Sequence, residues 1–198
     1  MKKLFLFAAL ALFCLTYSIA QVNFGAKAGV NFSDITGEEV DSFNGRTSLH
    51  IGVIAEIMVS DMFAVQPELI YSSQGSDYED SEDGFDFSGT VKLDYLNIPV
   101  MAKYYIGEGG FSVEAGPQIG FLLSAKDEFE GEEEDIDEFV KGTDFGVNFG
   151  LGYKLENGLH FGARYNLGLS DNLDVDDFEA EGAEYKNSVI QVSVGYFF

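Results

Sequence analysis

Six apolar residues in a row of alternating polarity open the region after residue 20, and this two-residue period constrains the fold more than any other feature. Val22, Phe24, Ala26, Ala28, Val30 and Phe32 take the even positions, with Asn23, Gly25, Lys27, Gly29, Asn31 and Ser33 between them. Successive strand side chains point to opposite faces, so the pattern specifies a strand with one apolar and one polar face.

Seven further segments repeat it. Leu49–Val59 and Phe63–Tyr71 follow, then a stretch from about Val91 to Ile106 whose phase slips near Tyr95, which predicts a bulge there. Phe111–Leu123, Phe145–Leu155, Leu159–Leu169 and Ile190–Phe198 complete the set. Eight antiparallel strands in sequence order describe an up-and-down barrel. Ser60-Asp61-Met62, 107–110 and Glu156-Asn157-Gly158 are tight turns, whereas 34–46, 74–90, 126–143 and 171–186 are long acidic connections. Alternating short and long connections, with both ends of the chain on the short-turn side, match a transmembrane barrel with short periplasmic turns and long extracellular loops.

The start of the chain reads as an export signal. Lys2 and Lys3 precede an apolar run from Leu4 to Leu15, and Ser18-Ile19-Ala20 offers small residues for cleavage, so residues 1–20 form the signal peptide and 21–198 the barrel domain. The apolar run is shorter than the roughly 20 residues of a spanning helix. Cys14, the single cysteine, lies within it, which leaves the mature chain without disulfide, thiolate ligand or cysteine nucleophile. The formal charge of −23 argues against binding nucleic acid through its phosphates. The remaining chain has no second run long enough for a spanning helix, and a closed barrel is the other way to satisfy a backbone within lipid.

Periodicity alone does not say which face is inside, since a soluble lipocalin has the same topology with its faces reversed. The polar face decides. It carries Gly25, Gly29, Gly52, Gly116, Gly120, Gly146, Gly150, Gly152, Gly162, Gly168 and Gly195, a poor choice for a water-facing sheet but suited to a crowded lumen. It also balances Lys27, Lys103, Lys154 and Arg164 against Glu56, Glu68, Glu114 and Asp144, as a buried charge network must. Tyr71, Tyr104, Tyr153, Tyr165 and Tyr196 fall near the ends of the apolar face, where interfacial aromatic girdles sit. The expected arrangement is lipid outside and charge inside, with a lumen too filled for a general pore. Pro67, Pro99 and Pro117 interrupt three consecutive strands, and local bulges are expected at them.

Several motifs stand in a fixed order: Gly25-x-Lys27-x-Gly29-x-Asn31-x-Ser33, then Tyr95-Leu96-Asn97-Ile98-Pro99-Val100 with Lys103-Tyr104-Tyr105. Gly116-Pro117, Asp144-x-Gly146 with Gly150, and Gly162-Ala163-Arg164-Tyr165-x-x-Gly168-Leu169 follow. Together they resemble the outer-membrane β-barrel domain family abundant in Bacteroidetes and often called PorT-like, within the wider porin family. The resemblance implies an eight-stranded barrel in the Gram-negative outer membrane, reached through Sec export, and implies no particular activity. Val192-x-Val194-x-Tyr196-x-Phe198 resembles the terminal signal read by barrel-assembly machinery, with Val194, Tyr196 and Phe198 as its residues.

Candidate chemistry is sparse. His50 and His160 fall on the polar face near opposite mouths, which separates them too far for a shared site, and no serine-histidine motif is recognisable. The four long connections carry 26 acidic residues against Arg46, Lys126, Lys141 and Lys186. They read as a solvated surface, as an attraction for a basic or envelope protein partner, or as loosely held Ca²⁺. Asp171, Asp174, Asp176 and Asp177 have the alternate spacing that would suit Ca²⁺, without the glycine and distant glutamate of an EF-hand loop; no metal site is assigned. The third to sixth segments look longer than a membrane crossing requires, as if continuing above the bilayer in an acidic β-extension. The expectation is a monomeric, non-enzymatic barrel in contact with outer-membrane lipid, the alternatives being an accessory subunit of a secretion or envelope assembly and a lipid-modifying enzyme.

Overall fold

The alternating segments fold into antiparallel strands: β1 Val22–Gly37, β2 Phe43–Ser60, β3 Phe63–Glu82, β4 Phe85–Ile106, β5 Phe111–Phe129, β6 Glu132–Asp135, β7 Thr143–Lys154, β8 Leu159–Gly168 and β9 Tyr185–Phe197. They come from a computed structural model, which describes residues 22–37, 43–82, 85–129, 131–172 and 185–198. The expected signal peptide, and Asp174, Asp176 and Asp177, lie outside the described residues.

All strands except β6 form a closed ring in sequence order. β1 and β9 seal it along a ladder from Gly25↔Phe197 to Gly37↔Tyr185, so the ring itself has no free edge. β6 is a short return strand paired with the outer end of β5, from Lys126↔Asp135 to Phe129↔Glu132. The turns at 61–62, 107–110 and 156–158 share one end with Val22 and Phe198, and Gly107, Gly110 and Gly158 supply the positive φ angles they need.

Exposure settles the orientation of the faces. Val53, Phe149 and Val192 on the outer surface are 57%, 51% and 50% exposed, whereas Asn31, Lys103 and Asn148 are fully buried inside. A soluble barrel has the opposite arrangement. Tyr71, Tyr104, Tyr153, Tyr165 and Tyr196 all lie on the outer surface.

Strand lengths are uneven. β3, β4 and β5 run for 20, 22 and 19 residues, about twice the 9–11 that cross a bilayer, whereas β7 and β8 have 12 and 10. One side of the barrel therefore rises well above the other. The extension covers the third to fifth segments but not the sixth, which is β7. Much of what reads as loop at 34–46 and 74–90 is strand: β3 and β4 stay paired up to Glu82↔Phe85. Acidic residues at both odd and even positions, Asp77, Glu79, Asp80 and Glu82 among them, hide its period in the sequence.

Two local expectations need correction. No bulge forms at the prolines. The ladders lose two pairs beside each, between Ile54↔Glu68 and Ile57↔Val65, between Pro67↔Val100 and Ile70↔Asn97, and between Pro99↔Gln118 and Ala102↔Ala115, yet the register is unchanged across every gap. The pairs on either side of each gap, in the same ladder, keep the register. The change of pattern at Tyr95 is also no slip of β4, whose odd residues face inward from Leu93 to Tyr105. The bulge expected near Tyr95 does form, with its extra residue on β5, where Asp94↔Ser124 is followed by Tyr95↔Leu122. What changes in β4 is the chemistry of the lumen, which becomes apolar at its outer end.

Candidate functional site

Ile54, Ile70 and Phe197 form an apolar cluster in the lumen. Phe197 also receives His160 edge-on at 5.8 Å and Lys154 Nζ at 5.0 Å from its ring centroid.

The layer around it, which reaches Tyr105 and Lys154 beside the short turns, is ionic. Glu56 accepts from Lys103 Nζ at 3.3 Å, from Lys154 Nζ and from the Tyr105 hydroxyl. Lys103 also donates to Gln66 Oε1 at 3.1 Å, and Gln66 Nε2 donates to Glu68 Oε1 at 2.7 Å, which links the first cluster to a second. There Glu68 accepts both terminal nitrogens of Arg164, at 3.0 and 2.8 Å, and pairs with Lys27 at 2.7 Å. Arg164 also donates to Glu114 at 2.9 Å. Alternate positions of seven strands thus converge on one network. Seven of the eight charged residues singled out in the sequence meet in it. Asp144 stands apart, among Ser170, Asn187 and Tyr95 at the outer end.

Amides extend the network outward. Asn31 donates to Ser72 Oγ at 3.0 Å and to the Ser73 carbonyl at 2.6 Å, while Gln191 donates to Asn31 Oδ1 at 3.0 Å. Asn166 donates to Asn148, which donates to Gln118, each at 3.2 Å. Their signal in the sequence was parity alone, since each lies on the same face of its strand as the charged residues. Space is tight: a Cβ at Gly152 would lie 2.7 Å from Ser112 Oγ and 2.8 Å from Glu114 Oε1.

The outer layer is an apolar seal of Ile35, Leu93, Tyr95, Ala125 and Val140. Val140 comes from the connection between β5 and β7, which folds inward through a 3-10 turn at Asp137–Phe139. Bonds from Ile136 N to the Ala125 carbonyl, Leu122 N to the Gly142 carbonyl and Lys141 N to the Asn172 carbonyl hold it there at 3.0, 3.0 and 2.8 Å. The Lys141–Asp171 ion pair at 2.9 Å adds to them. Asp171 is therefore engaged by a lysine.

Above the seal, Lys92 pairs with Glu128 and Glu133, and Lys126 pairs with Glu133 at 2.8 Å. The Lys126 and Lys92 ammonium groups pull the Glu133 carboxyl down to about 2. Glu128 and Glu133 hold Lys92 above its ordinary value.

His50 Nδ1 faces Asn31 Oδ1 at 2.8 Å, and neither histidine hydrogen-bonds to a serine hydroxyl or carboxylate among the described residues, although His160 Nε2 lies close to Ser112 Oγ and Glu114 Oε1 around Gly152. No group of three or more potential metal ligands from His, Cys, Asp and Glu occurs among them. Val194, Tyr196 and Phe198 all face outward, and the Phe198 amide donates to the Phe24 carbonyl at 2.8 Å.

A closed antiparallel barrel with an apolar outer face and an ion-paired lumen is the construction of an outer-membrane protein. Residues 18–174 match the outer membrane protein beta-barrel domain, and the chain belongs to that family. The match stops one strand short of closure, which β9 supplies. The fold is that of Neisserial surface protein A, 13% identical with 90% of this chain aligned to 99% of that one at a TM-score of 0.56. It is shared by Ail, the attachment invasion locus protein of Yersinia pestis, 14% identical over 90% of this chain and 99% of that one at 0.53. No curated protein matches the sequence. Membership of the family places the chain in the Gram-negative outer membrane.

Proposed function

We propose that this protein is a non-enzymatic, monomeric outer-membrane barrel that presents an acidic β-extension to a basic partner at the cell surface. The extension carries the reading: β3, β4 and β5 continue about a full membrane crossing beyond what lipid requires, and they are edged by Glu132–Asp135, all exposed. Length of that kind serves no purpose inside the bilayer. An ordered, strongly negative sheet attracts cationic protein surfaces and steers their approach. The lumen, closed by ion pairs and an apolar seal, supports a role at the outer rim in preference to passage of solutes. The same reading has the chain exported through Sec, cleaved after Ala20 and assembled through the terminal Val194, Tyr196 and Phe198.

The test is capture of a cationic probe, such as poly-lysine, by the full chain in lipid nanodiscs. Binding that weakens steeply with salt, and weakens further when Glu132, Glu133 and Glu134 become glutamine, supports the proposal. Binding that ignores both overturns it.

The motif set that resembles PorT-like barrels favours a second reading, an accessory subunit of a secretion or envelope assembly. A stoichiometric partner in pull-downs from native membranes would support it. Loosely held Ca²⁺ at the acidic loops belongs to the first reading, and calorimetry in the millimolar range tests it. A lipid-modifying enzyme would need a nucleophile beside a base, and no observation favours that reading.

A further inference from the structure

The outer end of the lumen holds a carboxylate without a counter-charge. Asp144 is 2% exposed. It accepts from Ser170 Oγ at 2.7 Å and Asn187 Nδ2 at 3.3 Å, and no lysine, arginine or histidine pairs with it among the described residues. The ionic layer is distant. Gly150, which faces both Glu114 and Arg164 across its ladders, lies six residues further along β7, roughly 20 Å at about 3.3 Å per residue. Among the described residues that layer holds four cations against three carboxylates, so its surplus positive charge lies far from Asp144. An isolated buried carboxylate is strongly unfavourable unless something neutralises it.

The neighbouring groups are oxygens left without a close hydrogen-bond partner. Asn97 Oδ1, the Tyr95 hydroxyl and Asn166 Oδ1 are buried without a hydrogen-bond partner, and their residues are at most 2% exposed. Gly120 brings Asn97 Oδ1 and the Tyr95 ring to Asp144. It pairs directly with Asp144 across β5 and β7, and a Cβ built on it would lie 2.6 Å from Asn97 Oδ1, 3.4 Å from the Tyr95 ring and 3.5 Å from Asp144 Cβ. Asn166 adjoins the next inward-facing glycine, its Oδ1 3.4 Å from a Cβ built on Gly146. The seal of Ile35, Leu93, Ala125 and Val140 covers the group from outside.

A carboxylate, amide oxygens and a phenol oxygen form an all-oxygen donor set, which suits hard cations. The charge count selects the valence. One cation of single charge neutralises Asp144, whereas a divalent ion would leave a new uncompensated charge in the same enclosed place. We propose that this buried cluster binds a sodium-sized monovalent cation, with Asp144 as its anionic ligand and Asn97 Oδ1 and the Tyr95 hydroxyl as neutral ones. This is separate from the surface role and from the exposed acidic loops.

The experiment compares thermal unfolding of the full chain in detergent micelles in sodium chloride and in N-methylglucamine chloride at equal ionic strength. A ligand that binds the folded state alone raises its midpoint. Sodium should raise the midpoint of the native protein by several degrees. Asp144→Asn should abolish the difference, and Asn97→Leu should reduce it. Equal midpoints for the native protein in the two salts would overturn the proposal, as would an undiminished difference in Asp144→Asn. Should Asp144→Asn not fold, ²³Na resonance broadening by the native protein, reversed by excess K⁺, supports the site, and no broadening overturns it.

Discussion

Arg164 on β8 grips Glu68 on β3 with both terminal nitrogens of its guanidinium, at 3.0 and 2.8 Å, from directly opposite sides of the eight-stranded ring. The residues are 96 apart in sequence, so the pair cross-links the barrel through its own lumen. Bidentate geometry of this kind is the strong form of a charged hydrogen bond. Lys27 on the same carboxylate brings in β1, and Glu114 on the same guanidinium brings in β5.

Glu68→Ala should therefore be among the most damaging single substitutions in the lumen. It leaves Lys27 without its carboxylate and Arg164 with Glu114 alone, and breaking a buried pair in this way costs about 3–5 kcal/mol. Reversible urea unfolding in micelles or thin bilayers reads the difference. A loss below 1 kcal/mol would show that water reaches these charges.

Two lumenal glycines should respond differently to an added methyl group. At Gly116 a Cβ would run into the Val100 carbonyl and sit 2.9 Å from Met101 Cα, so backbone itself must move. At Gly162 the nearest atom is Ser193 Oγ at 3.0 Å, which a rotamer change removes. Gly116→Ala should cost roughly 1–3 kcal/mol, the range of overpacking, and Gly162→Ala much less. The same unfolding assay ranks them.

Acid should loosen the outer hairpin before the barrel. Glu133 lies well below the ordinary carboxyl value in the folded chain, so its pairing with Lys92 and Lys126 stabilises the hairpin fully above about 4.5 and is lost as pH falls toward 2. Amide hydrogen exchange in 126–135 should quicken across that window, and also in high salt, which screens exposed pairs. Exchange in β7 and β8 should stay unchanged.

Removal of Phe198 should separate assembly from stability. Its ring is 82% exposed, and its amide makes one bond, to the Phe24 carbonyl. Deletion should lower the yield in the outer membrane while the midpoint of the protein that does assemble changes little. Unchanged yield would count against a role in the assembly signal.

The period of two made the ring of strands and its lumenal face readable, because each residue's parity follows from its position alone. Partnership was harder to read. That Glu68 meets Arg164, or that Asp144 meets no cation, depends on how far each strand is staggered, and stagger leaves no local trace. The outer end was misread for a related reason. Leu93 and Tyr95 face inward like Asn97, but as apolar residues on the polar face they look like a slip in phase. The seal was invisible because Val140 lies in a connection with no period, and the tall hairpin because its acidic residues occupy both odd and even positions. The prolines show the reverse limit: a missing donor was plain in the sequence, but the flanking ladder pairs that keep the register were not.

The central claim is that the apolar face meets lipid and the charged face is enclosed. Nitroxide labels on Val53→Cys and Val192→Cys, with the full chain in bilayers, test it through collisions with oxygen and with a water-soluble nickel chelate. Both positions should collide readily with oxygen, which concentrates in lipid, and scarcely with nickel. Ready collision with nickel at both would place the apolar face in water and contradict the account.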